Sequence, residues 1–110
     1  MSYTDGADRL RHWKAIILDR TSGGELILQK LYPTIKFRDA RTDHFRVREA
    51  DKTPSAVAYR RDQIWYVVDY GGDGKWRNAI DQYALERGLD GGPFIEILKA
   101  IAGELLITLP

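Results

Sequence analysis

Along the first third of the chain, hydrophobic residues recur three and four positions apart. Leu10, Trp13, Ile16 and Ile17 thereby fall on one stripe of a helix. Asp5 or Asp8 is placed to cap its start, and Ser22-Gly23-Gly24 breaks it. Leu26, Ile27 and Leu31 predict a short second helix ending near Pro33, because the residue before a proline avoids the helical region. From Thr34 the period drops to two. Ile35 and Phe37 alternate with Lys36 and Arg38; after a turn over residues 39–43, Phe45 and Val47 alternate with His44, Arg46 and Arg48. A strand pair with one apolar and one basic face is expected there. Two more strands are predicted over residues 55–60 and 64–70, joined by Arg61-Asp62-Gln63 as a hairpin turn. The second of these carries Ile64, Tyr66, Val68 and Tyr70 opposite Trp65 and Val67, the pattern of a strand that is central or covered on both sides. Beyond a glycine-rich stretch, Asn78 is the N-cap of a helix through Leu85 that stops at Gly88. Gly91-Gly92-Pro93 opens a last helix striped by Phe94, Ile95, Leu98, Ile101, Ala102 and Leu105. These elements predict an α+β domain: antiparallel strands from residues 34–70, with helices from 1–33 and 78–110 packed on one face.

A chain of 110 residues, 44% hydrophobic and 30% charged, suits one globular domain with a modest core. Cysteine is absent and His12 and His44 are the only imidazoles, so disulfides are excluded and neither a metal nor a cofactor is expected. No apolar run approaches the roughly 20 residues of a membrane span, and the start lacks a basic stretch followed by an apolar one. A cytoplasmic location with no membrane partner is the expectation. The net charge of +1 conceals an asymmetry: residues 34–61 carry eight basic and four acidic side chains, residues 78–110 two basic and five acidic. No cysteine nucleophile, histidine–serine pairing or distinctive carboxylate pair is present, so the chain is read as non-enzymatic, without catalytic residues.

Two blocks are specific. Asp51-Lys52-Thr53-Pro54-Ser55 precedes the two predicted strands, and Gly71-Gly72-Asp73-Gly74-Lys75-Trp76-Arg77 runs into Asn78-Ala79-Ile80-Asp81. In order and spacing they resemble the zinc-ribbon (zinc-binding) domain of bacterial DnaG-type DNA primases, where Lys-Thr-Pro-Ser follows the first ligand pair and Asn-Ala-Ile-Asp follows the second. The likeness runs from about Gly24 to Leu105. Arg46, Glu49, Asp69 and Gly72 stand at or near the positions of the family's ligands, so the resemblance implies a degenerate ribbon that folds without zinc. The helix of Trp13, the strand Trp65-Tyr66-Val67-Val68 and the last helix then take over stabilisation. The resemblance further implies a non-catalytic module that binds single-stranded DNA in replication or priming, of a phage or mobile element. The alternative it leaves is a module docking onto a polymerase, helicase or primase subunit with little contact to DNA.

Candidate contacts follow from both readings. Lys36, Arg38, His44, Arg46 and Arg48 form the basic face, a set suited to several phosphates or simply a solvated surface that blunts edge pairing. Arg46 is alternatively an ion-pair partner of Glu49 or Asp69. Lys52 is a secondary nucleic-acid contact within a turn. In the glycine loop, Lys75 and Arg77 are candidate phosphate contacts, and Trp76 either offers a base a stacking surface or folds back over the sheet.

Overall fold

The computed structural model of the chain describes residues 4–48 and 52–110. Seven regular elements follow in the order α1 (Thr4–Arg20), α2 (Glu25–Leu31), β1 (Ala56–Arg61), β2 (Ile64–Asp69), β3 (Trp76–Asn78), α3 (Ala79–Glu86) and α4 (Phe94–Leu105). The class is α+β, with a three-stranded antiparallel sheet ordered β1-β2-β3. Among the described residues no helix is long and apolar enough to cross a membrane.

The α1–α2 corner shows how local chemistry sets the packing. Thr21 is fully buried; its hydroxyl donates to the Ile17 carbonyl at 2.7 Å and accepts from the Gly24 amide at 3.1 Å, which satisfies groups left over where the helix ends. Gly23 and Gly24 then adopt φ of 72° and 102°. A Cβ at Gly23 would lie 1.9 Å from the Gln63 carbonyl oxygen, and one at Gly24 would lie 2.4 Å from the Ala79 Cβ. Only glycine permits both the left-handed backbone and this close approach. The Gly23 carbonyl also accepts from the Trp65 amide at 2.9 Å, joining the corner to β2. On the other side of the hairpin tip, Asp62 and Gln63 have φ of 50° and 66°, the signature of a two-residue type I′ turn.

Of the two expected side-chain caps at helix starts, one is met and one is missed. Asn78 caps α3, its side chain accepting from the Asp81 amide at 2.8 Å. α1 already begins at Thr4, so Asp5 and Asp8 lie within it and Asp8 instead pairs with Arg11, one turn on. The larger correction concerns residues 34–48. They form no regular strand pair, contributing only the bridges Phe37–Thr42, Arg41–Tyr59 and Phe45–Ala56. Phe37 closes a tight turn on Thr42, and the chain then lies along the free edge of β1, with Phe45 and Ala56 exchanging two backbone bonds at 2.9 and 3.0 Å. Period two correctly separates buried Ile35 and Phe45 from exposed Lys36, Arg38, His44, Arg46 and Arg48. It does not identify the partner strand, which is β1.

Opposed residues of an antiparallel ladder share a face, so the register divides the sheet cleanly. Ala56, Ala58, Trp65 and Val67 point inward and join the helix residues Ile17, Ile27, Leu28, Ile80, Leu98 and Ile101 in one core. The fully buried aliphatics each stabilise the fold by about 1.5–3 kcal/mol. Val57, Tyr59, Arg61, Ile64, Tyr66, Val68 and Trp76 point to the opposite face. Val57 and Val68 are completely buried yet lie outside the helical core.

Candidate nucleic-acid interface

The sequence-predicted basic face resolves into side chains that are mostly occupied. Arg38 grips Asp43 with two bonds at 3.1 and 2.7 Å, and this guanidinium holds the Asp43 carboxyl below the usual carboxylate value. Arg46 donates to the Lys52 carbonyl at 3.0 Å, and Arg48 donates to Asp69 at 2.7 Å. The ion pair proposed for Arg46 with Asp69 is therefore made by Arg48; Glu49 lies outside the described residues. Arg77 grips Asp73 with bonds at 3.1 and 2.6 Å; together with the Lys75 amide it drives the Asp73 carboxyl well below the ordinary range. Lys36, His44, Lys52 and Lys75 are exposed and have no salt-bridge partner among the described residues. The intended cluster thus lacks the continuous sheet ladder expected to gather it, and three of its arginines, Arg38, Arg48 and Arg77, already hold carboxylates.

Asp69 ties together the segments around the glycine-rich stretch. Its carboxylate accepts from Arg48, from the Ser55 hydroxyl at 3.1 Å and from the Gly71 amide at 3.1 Å, while its carbonyl accepts from the Gly72 and Gly74 amides at 3.0 and 3.1 Å. Beside it a cleft of about 130 Å³ is lined by charges of both signs, including Arg48, Asp73, Arg77 and Glu86. Among the described residues no group of three or more His, Asp or Glu side chains is arranged to hold a metal.

Trp76 is not in a loop. It opens β3, opposite Val68, and its indole is 45% exposed. It stacks on Tyr59 with centroids 5.2 Å apart and planes 22° from parallel, and meets Tyr66 at 6.2 Å and 55°. The Arg61 guanidinium carbon lies 4.8 Å from the indole centroid. Tyr70, 59% exposed, extends the group through a 3.3 Å contact between its hydroxyl and that of Tyr59, which raises the Tyr70 hydroxyl above the usual phenol value. Arg41, bridged to Tyr59 across the sheet edge, puts a second exposed cation on this side. The sheet therefore presents an aromatic surface flanked by arginines on the face away from the helices.

Of this surface, only Trp76 was singled out from the sequence. Tyr66 and Tyr70 stand in the alternation with Ile64 and Val68 on one side of the strand predicted over residues 64–70, and Tyr59 lies within the strand predicted over residues 55–60. Which side the helices would leave open is not legible in that pattern. The chain matches no protein-family model, no curated protein and no solved structure.

Proposed function

We propose that this chain is a non-catalytic module that binds single-stranded DNA in replication or priming, with the open aromatic face of the sheet as its platform. The observation that carries the reading is the grouping of Tyr59, Tyr66 and Trp76 with Arg41 and Arg61 on one solvent-facing surface. Exposed rings stack on the faces of unpaired bases, each such contact being worth about 1–3 kcal/mol, whereas a duplex hides those faces between neighbouring pairs. Cations beside the rings neutralise the backbone of the same strand and make binding salt-dependent. Lys75, next to Trp76, and Lys36 and Lys52 are reserves of charge for a longer strand.

Kinship with the primase zinc ribbon, and service to a phage or mobile element, belong to this proposal. Its support is the order of the parts: Lys52-Thr53-Pro54-Ser55 leads into β1, two strands pair as a hairpin, and Asn78 caps the helix that follows. Docking onto a replication protein would draw support from an exposed patch around Phe94, Leu98, Ile101 and Leu105 on α4, but Leu98 and Ile101 are fully buried and Phe94 and Leu105 are partly buried against the same core.

Fluorescence anisotropy with a labelled oligothymidylate over a salt series tests the reading. Binding that weakens steeply with salt is expected, and Trp76→Ala should cost roughly 5- to 150-fold in affinity, the equivalent of one lost base stack. Absence of binding at low salt, with capture of a proline-rich peptide by the same rings, would replace this reading with a protein-docking module.

A further inference from the structure

Among the described residues, Arg61 differs from most of the other arginines in what it touches. Arg38, Arg48, Arg60, Arg77 and Arg87 each hold a carboxylate. Arg61 has no carboxylate partner among the described residues; its guanidinium rests over the indole of Trp76. Position dictates this. Arg61 ends β1 on the same face as Tyr59, so its side chain lies over the aromatic group and not over the core. The π surface of Trp76 is thereby shared between the Tyr59 ring and the Arg61 cation. A base that stacks on the part of the ring beneath this cation must take the place of the guanidinium.

We infer that Arg61 is a displaceable cap that makes the platform selective for ligands carrying phosphate, an inference that rests on the function proposed above. A guanidinium over an indole at an exposed site is weakly held. Displaced by a base, it swings to the adjoining backbone, where a phosphate offers two oxygens in the geometry its planar fork matches. A phosphodiester strand thus compensates the displaced cation. An aromatic or proline-rich ligand without phosphate uncovers the same ring and returns nothing to Arg61, so the cap opposes it. Arg61 in this role positions and selects; it takes part in no chemistry.

The test compares the wild type with Arg61→Gln and Arg61→Lys, using a labelled oligothymidylate and the same strand with uncharged methylphosphonate linkages. With the phosphodiester strand, Arg61→Gln should bind more weakly at low salt and flatten the logarithmic salt slope by about 0.7, one phosphate contact for a single strand. With the uncharged strand it should bind more tightly than the wild type, because the ring is already bare. Arg61→Lys should keep the salt slope while still gaining affinity for the uncharged strand, and it preserves the test if the glutamine variant folds poorly. Changes of the same sign for both strands, or no change for either, would overturn the cap. Failure of the wild type to bind either strand would instead sink the single-strand reading beneath it, a result distinguishable from the first.

Discussion

Asp69→Ala is the sharpest structural perturbation available, because one carboxylate ties its own loop to two segments 21 and 14 residues earlier in the chain. Its side chain is only 12% exposed, and it accepts from Arg48, Ser55 and Gly71. The Arg48 guanidinium is half exposed, so solvent screening limits that pair to about 1 kcal/mol or less. The Ser55 hydroxyl and Gly71 amide each contribute about 0.5–1.5 kcal/mol net, the lower figure applying to Gly71, where water can replace the lost acceptor. A loss of about 2–3 kcal/mol is expected, which for a domain of this size lowers Tm by about 8–12 °C. Asp69→Asn keeps an acceptor for Ser55 and Gly71 and forfeits the charge, so about 1 kcal/mol should be lost. Urea unfolding followed by circular dichroism, with thermal melts in parallel, measures both. If Asp69→Ala unfolds within about 0.5 kcal/mol of the wild type, the range of an ordinary surface substitution, then this hydrogen-bonded knot does not hold the glycine loop, and the account of how the segment is fixed is wrong.

Gly24→Ala should destabilise by about 2–4 kcal/mol, since it combines a left-handed φ of 102° with a Cβ 2.4 Å from that of Ala79; equilibrium denaturation reads the loss. Glu104 receives Arg87 at 2.6 Å and the Tyr83 hydroxyl at 2.5 Å, which lower its carboxyl below the usual value, chiefly through Arg87. Its contribution is therefore present above the unfolded carboxylate pKa of about 4.3 and lost as pH falls through the lower folded value, so Glu104→Gln should reduce the stability difference between neutral and acid denaturation curves. Arg38→Ala should change oligonucleotide affinity far less than Trp76→Ala, because Arg38 is already committed to Asp43; equal losses in anisotropy titrations would restore the basic segment as the main contact. The purified chain should fold without zinc, and a Tm lowered by a chelator, or stoichiometric zinc on elemental analysis, would contradict the metal-free ribbon.

The helices were legible because a period of three to four is a local property. The stripe through Leu10, Trp13 and Ile17, the Asn78 cap and the break at Ser22-Gly23-Gly24 all depend on residues within a turn or two of each other. The hairpin from β1 to β2 was legible for the same reason. β3 was not: three residues, Trp76 to Asn78, are too few to display a period, and only their pairing with Tyr66 to Val68 makes them a strand. Residues 34–48 mark the intermediate case, where alternation told the buried side from the solvent side but could not say that Phe45 would pair with Ala56.

The candidate site follows the same division. Sequence alone determined that arginines and lysines would crowd the solvent side between Thr34 and Arg61, and that β2 would carry aromatic or aliphatic side chains on both faces, because side-chain direction in an extended chain is set by the backbone itself. Tertiary structure decided which cations are free to meet a ligand, through carboxylates as distant as Asp69 from Arg48. It also decided which face of the sheet would stay open. The helices close over the face of Ala58, Trp65 and Val67, and on the opposite face Tyr59 and Tyr66 stay half-buried and Trp76 exposed.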